Sequence, residues 1–145
     1  MHIAAVRMRL ALALFGFVML AASAAQAQDP RATSAQQSSR AFLALTDRDD
    51  GKASWQAAGK QFQNAITDAR WASALHDARV PLGAVVERGV LSTNFMKTFP
   101  GATAEGDYAI VIYRTTFANR TDARETLTLE RETDGAWRVI GYFIQ

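Results

Sequence analysis

Glu125 carries the strongest chemical lead in this sequence. Over the run Glu125 to Glu132, alternation places Glu125, Leu127 and Leu129 on one face and Thr126, Thr128 and Glu130 on the other. The leucines mark the face that turns toward a core, so a carboxylate is carried inward, where a charge needs a partner. Arg79 and Arg88 are the candidate partners, because a guanidinium can engage a carboxylate through two parallel hydrogen bonds. Two kinds of chemistry follow. A closed pair locks elements together, whereas an open one is an acid or an anion-binding pair. Tyr113 and Tyr142 could donate hydroxyl hydrogen bonds into such a site, or serve as sheet aromatics with their polar tips at water.

Other reactive residues are sparse. His76 titrates near neutrality by type, but Asp77 at i+1 points elsewhere on a helix, and no Ser or Cys nucleophile constellation accompanies it. It is expected on a helix surface. The carboxylates Asp47, Asp49 and Asp50 lack the spaced acidic ladder and distal Glu of a calcium loop, which makes them a solvated turn. The chain has no cysteine, and its two histidines are His2 and His76, so neither a disulfide nor a structural zinc site is expected, and no cofactor is implied. Trp55, Trp71 and Trp137 read as core rather than as a ligand wall. Asn119-Arg120-Thr121 fits the glycosylation acceptor pattern, but so short a pattern recurs by chance and is uninformative.

The elements that position these residues fall in two blocks. Asp29-Pro30 is an N-cap followed by proline at the first helical position, and Ala35, Ser39, Phe42 and Leu45 recur at helical spacing behind it. Asp49-Asp50-Gly51 makes a break. Trp55, Ala58, Phe62 and Ile66 form a second helical stripe. Thr67 caps a third helix, with Ile66 and Trp71 placed as a hydrophobic staple, and Pro81 ends it near Arg79. From Val85 the period becomes alternating. Val85 to Phe99 is a long strand with a bulge expected at Gly89, stopped by Pro100-Gly101. Tyr108 to Asn119, Glu125 to Glu132 and Trp137 to Ile144 follow, with Asp134-Gly135 as a two-residue hairpin turn. Helices first and a meander after them imply an α+β domain, three N-terminal helices packed on a four-stranded curved antiparallel meander.

The N-terminus has a different role. Residues 10–28 carry no charge, follow Arg7 and Arg9, and include the small-x-small pattern Ala25-Gln26-Ala27. This is the design of a Sec-type signal peptide over residues 1–27, and the run is shorter than the roughly 20 apolar residues of a spanning helix. With no cysteine at the cleavage point, no lipid anchor is expected. The working domain is then 28–145, periplasmic or secreted. Loss of Arg7 and Arg9 leaves 14 Lys and Arg against 14 Asp and Glu. A near-zero net charge removes the electrostatic footprint of a nucleic-acid binder.

Several of these residues together resemble a known family. Trp55 and Trp71, Arg79-Val80-Pro81-Leu82-Gly83, Arg88, Phe117-Ala118-Asn119, Glu125 and the ending Gly135-Ala136-Trp137-Arg138-Val139-Ile140-Gly141-Tyr142-Phe143-Ile144 look like the exported bacterial domain-of-unknown-function family numbered four thousand and nineteen. The resemblance covers nearly the whole chain after residue 27 and transfers no activity. Its helix-then-meander order is similar to cystatin-like and nuclear-transport-factor-like cone folds, an architectural analogy only.

Two functional expectations stand. One is a non-catalytic exported module that binds a small molecule or an envelope protein. The other is a small cone-fold isomerase or hydrolase, with Glu125 as acid or base and Tyr113 or Tyr142 as donor. Both require export. Protein recovered from the envelope is expected by mass spectrometry to start just after Ala27, and an intact Met1 terminus there would overturn the signal-peptide reading.

Overall fold

A computed structural model describes residues 29–145. The expected signal segment, residues 1–27, lies outside the described residues. Helix α1 spans Pro30–Thr46 and starts as its sequence dictates, with the Asp29 side chain accepting a hydrogen bond from the Arg31 amide at 2.9 Å. Helix α2 covers Gly51–Ala57, α3 Lys60–Ala65 and α4 Asp68–Arg79. The Thr67 hydroxyl caps α4 by accepting from the Arg70 amide, and Pro81 closes it in a single 3-10 turn, Val80–Leu82.

There are thus four helices rather than three. The stripe from Trp55 to Ile66 is interrupted because Ala58 and Gly59 are extended, and the freed amides are used elsewhere. The Gly59 N–H donates to the Val139 carbonyl at 2.8 Å and the Lys60 N–H to Glu132 Oε1 at 2.8 Å. A continuous helix would forgo both contacts with the sheet. The break between α2 and α3 therefore docks this segment on the last strand.

The sheet is an antiparallel meander in the order β1-β2-β3-β4, with β1 Val85–Met96, β2 Tyr108–Phe117, β3 Arg120–Arg131 and β4 Trp137–Ile144. Strand β1 ends before Phe99, whose ring turns back to pack edge-on against Tyr108 at 4.9 Å. Gly89 is not a bulge and stays in register opposite Arg114. The register slips instead at Val86 and Leu91, and these two residues are left exposed on the edge strand. Such bulges twist an edge away from further pairing. The Asp134-Gly135 turn is likewise longer than two residues: Glu132 and Gly135 close it, with Gly135 at φ 83°, and pairing resumes at Trp137.

One further slip decides which side chains meet. Between Thr128 and Leu129 the partner strand β4 carries an extra residue, so inward Trp137 and Val139 are followed by inward Tyr142 rather than by Gly141 and Phe143. The helices lie on the face that holds Phe42, Leu43, Phe62, Trp71 and Leu75 against Val111, Tyr113, Leu127, Leu129 and Val139. All three tryptophans belong to this packing or border it. The indole N–H of Trp71 donates to Ser54 and that of Trp55 to the Ile66 carbonyl.

Helices α2 and α4 approach most closely at Gly51, where an added Cβ would lie 2.5 Å from the Ala72 Cα. Backbone that close cannot give way without separating the helices. Gly51→Ala is expected to destabilise by about 1–3 kcal/mol, the usual cost of overpacking, read as a lowered melting temperature; an unchanged one would contradict this packing.

Candidate functional site

Glu125 is fully buried in the middle of β3, on the helix-covered face that its alternation with Leu127 and Leu129 requires. Its diagonal neighbours across the sheet supply hydroxyls. Thr115 on β2 donates to Oε2 at 2.5 Å, and Tyr142 on β4 donates to Oε1 at 2.5 Å. Arg88 reaches over β2 from β1, giving its Nε to Oε2 at 2.6 Å and its Nη2 to Oε1 at 3.2 Å. Each carboxylate oxygen therefore accepts two hydrogen bonds, and a carboxylate has about four lone-pair positions to offer.

Arg88 is held from both sides. Its Nη1 and Nη2 donate to Asp47 Oδ2 and Oδ1 at 2.7 and 2.8 Å, so one guanidinium bridges two carboxylates. Burial works against its charge, and the hydrogen bonds it donates to the Asp47 and Glu125 carboxylates outweigh burial and raise its pKa. Burial, and then the adjacent Glu125 charge, push the Tyr142 phenol upward as well. That hydroxyl keeps its proton and stays a donor throughout the ordinary pH range.

Of the two candidate arginines, Arg88 and not Arg79 pairs with Glu125. Arg79, the last residue of α4 and only 5 % exposed, donates from Nη2 to Asp47 Oδ1 at 3.0 Å and lies over the Phe117 ring at 4.4 Å. Its Nε and Nη1 have no hydrogen-bond partner among the described residues. The cluster thus alternates in sign, Glu125, Arg88, Asp47, Arg79, and balances two carboxylates with two guanidiniums.

Asp47 stands in an exposed turn, as its sequence implies, but its two guanidinium partners were not foreseen. It stands at the C-cap of α1, where the negative end of a helix dipole disfavours a carboxylate. That mismatch was the available signal: an aspartate so placed calls for nearby cations. Tyr113 is also corrected, because it neither joins Glu125 nor reaches water. It is 2 % exposed, and its hydroxyl meets Ser39 Oγ of α1 at 2.5 Å, while Ser39 in turn donates to the Gln36 carbonyl. His76 lies on the surface as expected and pairs with Asp49 at 2.6 Å, a contact that raises its pKa.

Chemically, the arrangement is an ionic lock joining the end of α1, α4 and all four strands. Glu125→Gln removes a fully buried charge and leaves Arg88 partly uncompensated. A loss of about 3–5 kcal/mol is expected, typical of breaking a buried pair from one side, measured by denaturant or thermal unfolding. A stability equal to that of the parent chain would rule the lock out.

Searches of curated proteins and of solved structures each returned no match. The family described as "Protein of unknown function (DUF4019)" matches residues 38–142, a span that takes in Asp47, Arg79, Arg88, Thr115, Glu125 and Tyr142. With the whole lock and most of the described fold inside that match, the chain belongs to this family of unknown function.

Proposed function

We propose that this chain is a non-catalytic exported module that binds a small molecule or an envelope protein, working in the periplasm or outside the cell. The observation that carries the reading is the saturation of Glu125. General acid–base catalysis needs an oxygen within hydrogen-bond reach of a substrate proton. Here both oxygens are engaged by Arg88, Thr115 and Tyr142, and the side chain has no exposed surface. Binding finds support on the outside of the fold. Phe143 on β4 is 66 % exposed, and a hollow opens at the far end of the sheet from Glu125.

Two measurements test this reading. Tyr142→Phe removes the hydroxyl beside Glu125 while keeping the ion pair, and hydrolysis of nitrophenyl esters is expected to stay at the buffer rate in both the parent chain and the variant. Turnover by the parent that is lost in Tyr142→Phe would overturn the non-catalytic reading. Thermal scans against short carboxylates, sugars and peptides should show a rise in melting temperature with at least one class, since a ligand bound only by the folded state stabilises it. No rise with any of them would remove the small-molecule arm.

A further inference from the structure

The helices pack on the face of the sheet that holds Val111, Tyr113, Leu127 and Leu129, so alternation turns the residues between them to the opposite face. An outer face made for water carries polar side chains at those positions. The centre of this one does not. Ile110 and Ile112 of β2 point outward in register with Thr128 and Thr126 of β3, and Thr126 in turn faces Phe143 of β4. The isoleucines are half-buried, and Phe143 is 66 % exposed. Leu91, exposed at its bulge on β1, joins Arg114 and Thr116 around a shallow hollow on the same face. Accessible apolar side chains lying together inside a polar rim mark a surface that associates.

Charge is divided along this face. Leu127 is the midpoint of β3 here, with Arg124 three positions before it and Glu130 three after, both turned outward. Arg114 lies in register beside Arg124, so one end is basic. Arg114 pairs with Asp122 at 3.2 Å, whereas no carboxylate among the described residues lies within ion-pair distance of Arg124. At the other end Arg138, the register neighbour of Glu130, is taken by Glu132 and Asp134. Burial, and then the Glu132 charge, push the Glu130 carboxyl upward. It opens on a hollow of about 550 Å³ between Gln61 and Asn64 of α3 and Thr103 of the β1–β2 loop.

We propose that this outer face is the interface of a homodimer, in which a second copy packs antiparallel across a two-fold axis at the level of Leu127 and sets each Arg124 against Glu130 of the other copy. The apolar strip supplies the drive to associate, and the charges select the orientation. An axis parallel to the strands would bring the Arg114 and Arg124 pair against the same pair of the second copy. Turning the axis across the strands replaces that repulsion with two opposite-charge contacts, lays Ile110 and Ile112 over their counterparts and brings the two Phe143 rings together near the axis. Four strands and about eight residues of free length make a face about 19 Å by 27 Å. Two copies therefore bury on the order of 1,000 Å², the lower limit of a specific interface, which implies a reversible dimer. The proposal goes beyond the binding reading above and gives Phe143 to a second copy rather than to a ligand.

Sedimentation equilibrium of the exported chain tests it. The expected result is a reversible monomer–dimer equilibrium, with Phe143→Glu monomeric at concentrations where the parent chain is dimeric. Glu130→Arg and Arg124→Glu should each weaken association by about tenfold or more, since each reversal sets like charges together at two symmetric contacts. The double variant carrying both reversals should associate more tightly than either single one, a recovery that damage to the fold cannot produce. A chain that stays monomeric at every soluble concentration, a dimer indifferent to Phe143→Glu, or a double variant no tighter than the singles would each overturn the proposal. A monomer would leave the exposed Phe143 to the binding role proposed above, which the thermal scans read separately. Conversely, the dimer stands whether or not those scans find a ligand.

Discussion

A carboxylate without exposed surface in the centre of a sheet imposes conditions on everything around it. Glu125 meets them by collecting donors from three strands, and Arg88 extends the arrangement to Asp47 at the end of α1. Arg79 then ties Asp47 to the end of α4. Desolvating these groups is costly, and such clusters seldom stabilise more than a hydrophobic packing of the same volume. What they supply is geometry. Four charges that must meet in alternating order leave little freedom in how α1 and α4 sit on the sheet.

The middle of the sheet and the end where β2 and β4 begin have different characters. Around Glu125 the carboxylate's acceptor positions are used up and the charges balance. At the end where β2 and β4 begin, a hollow is rimmed by Arg31, Lys97, Asp107 and Arg131, with Tyr108 and Trp137 buried beneath it. The Glu125 carboxylate is fully engaged, while Nε and Nη1 of the buried Arg79 have no partner among the described residues.

Much of this plan was legible. The caps at Asp29 and Thr67, the stop at Pro81 and the inward turn of Glu125 all follow from rules that act within a few residues, and each is seen. Less legible were features set by contacts between distant segments. The stripe through Trp55 and Phe62 carries a helical period across Ala58 and Gly59, yet hydrogen bonds to β4 and Glu132 hold these residues extended. Gly89 looked like a bulge because glycine tolerates one, while the slips at Val86 and Leu91 depend on how β1 meets β2. Asp47 lies in an exposed turn as expected, but nothing nearby in the chain announces its partners Arg79 and Arg88.

By itself, the sequence determined the class, helices followed by an antiparallel meander, and the face on which each regular stretch buries its side chains. Period and capping are local properties, written in residues that are neighbours along the chain. Only the tertiary structure decided that Arg88 rather than Arg79 holds Glu125, that Tyr113 answers to Ser39, and that a one-residue slip in β4 turns Tyr142 inward and Phe143 out. Pairing of charges depends on distances between segments tens of residues apart. Strand register flips every side chain beyond the slip, and neither quantity is encoded in the spacing of any single segment.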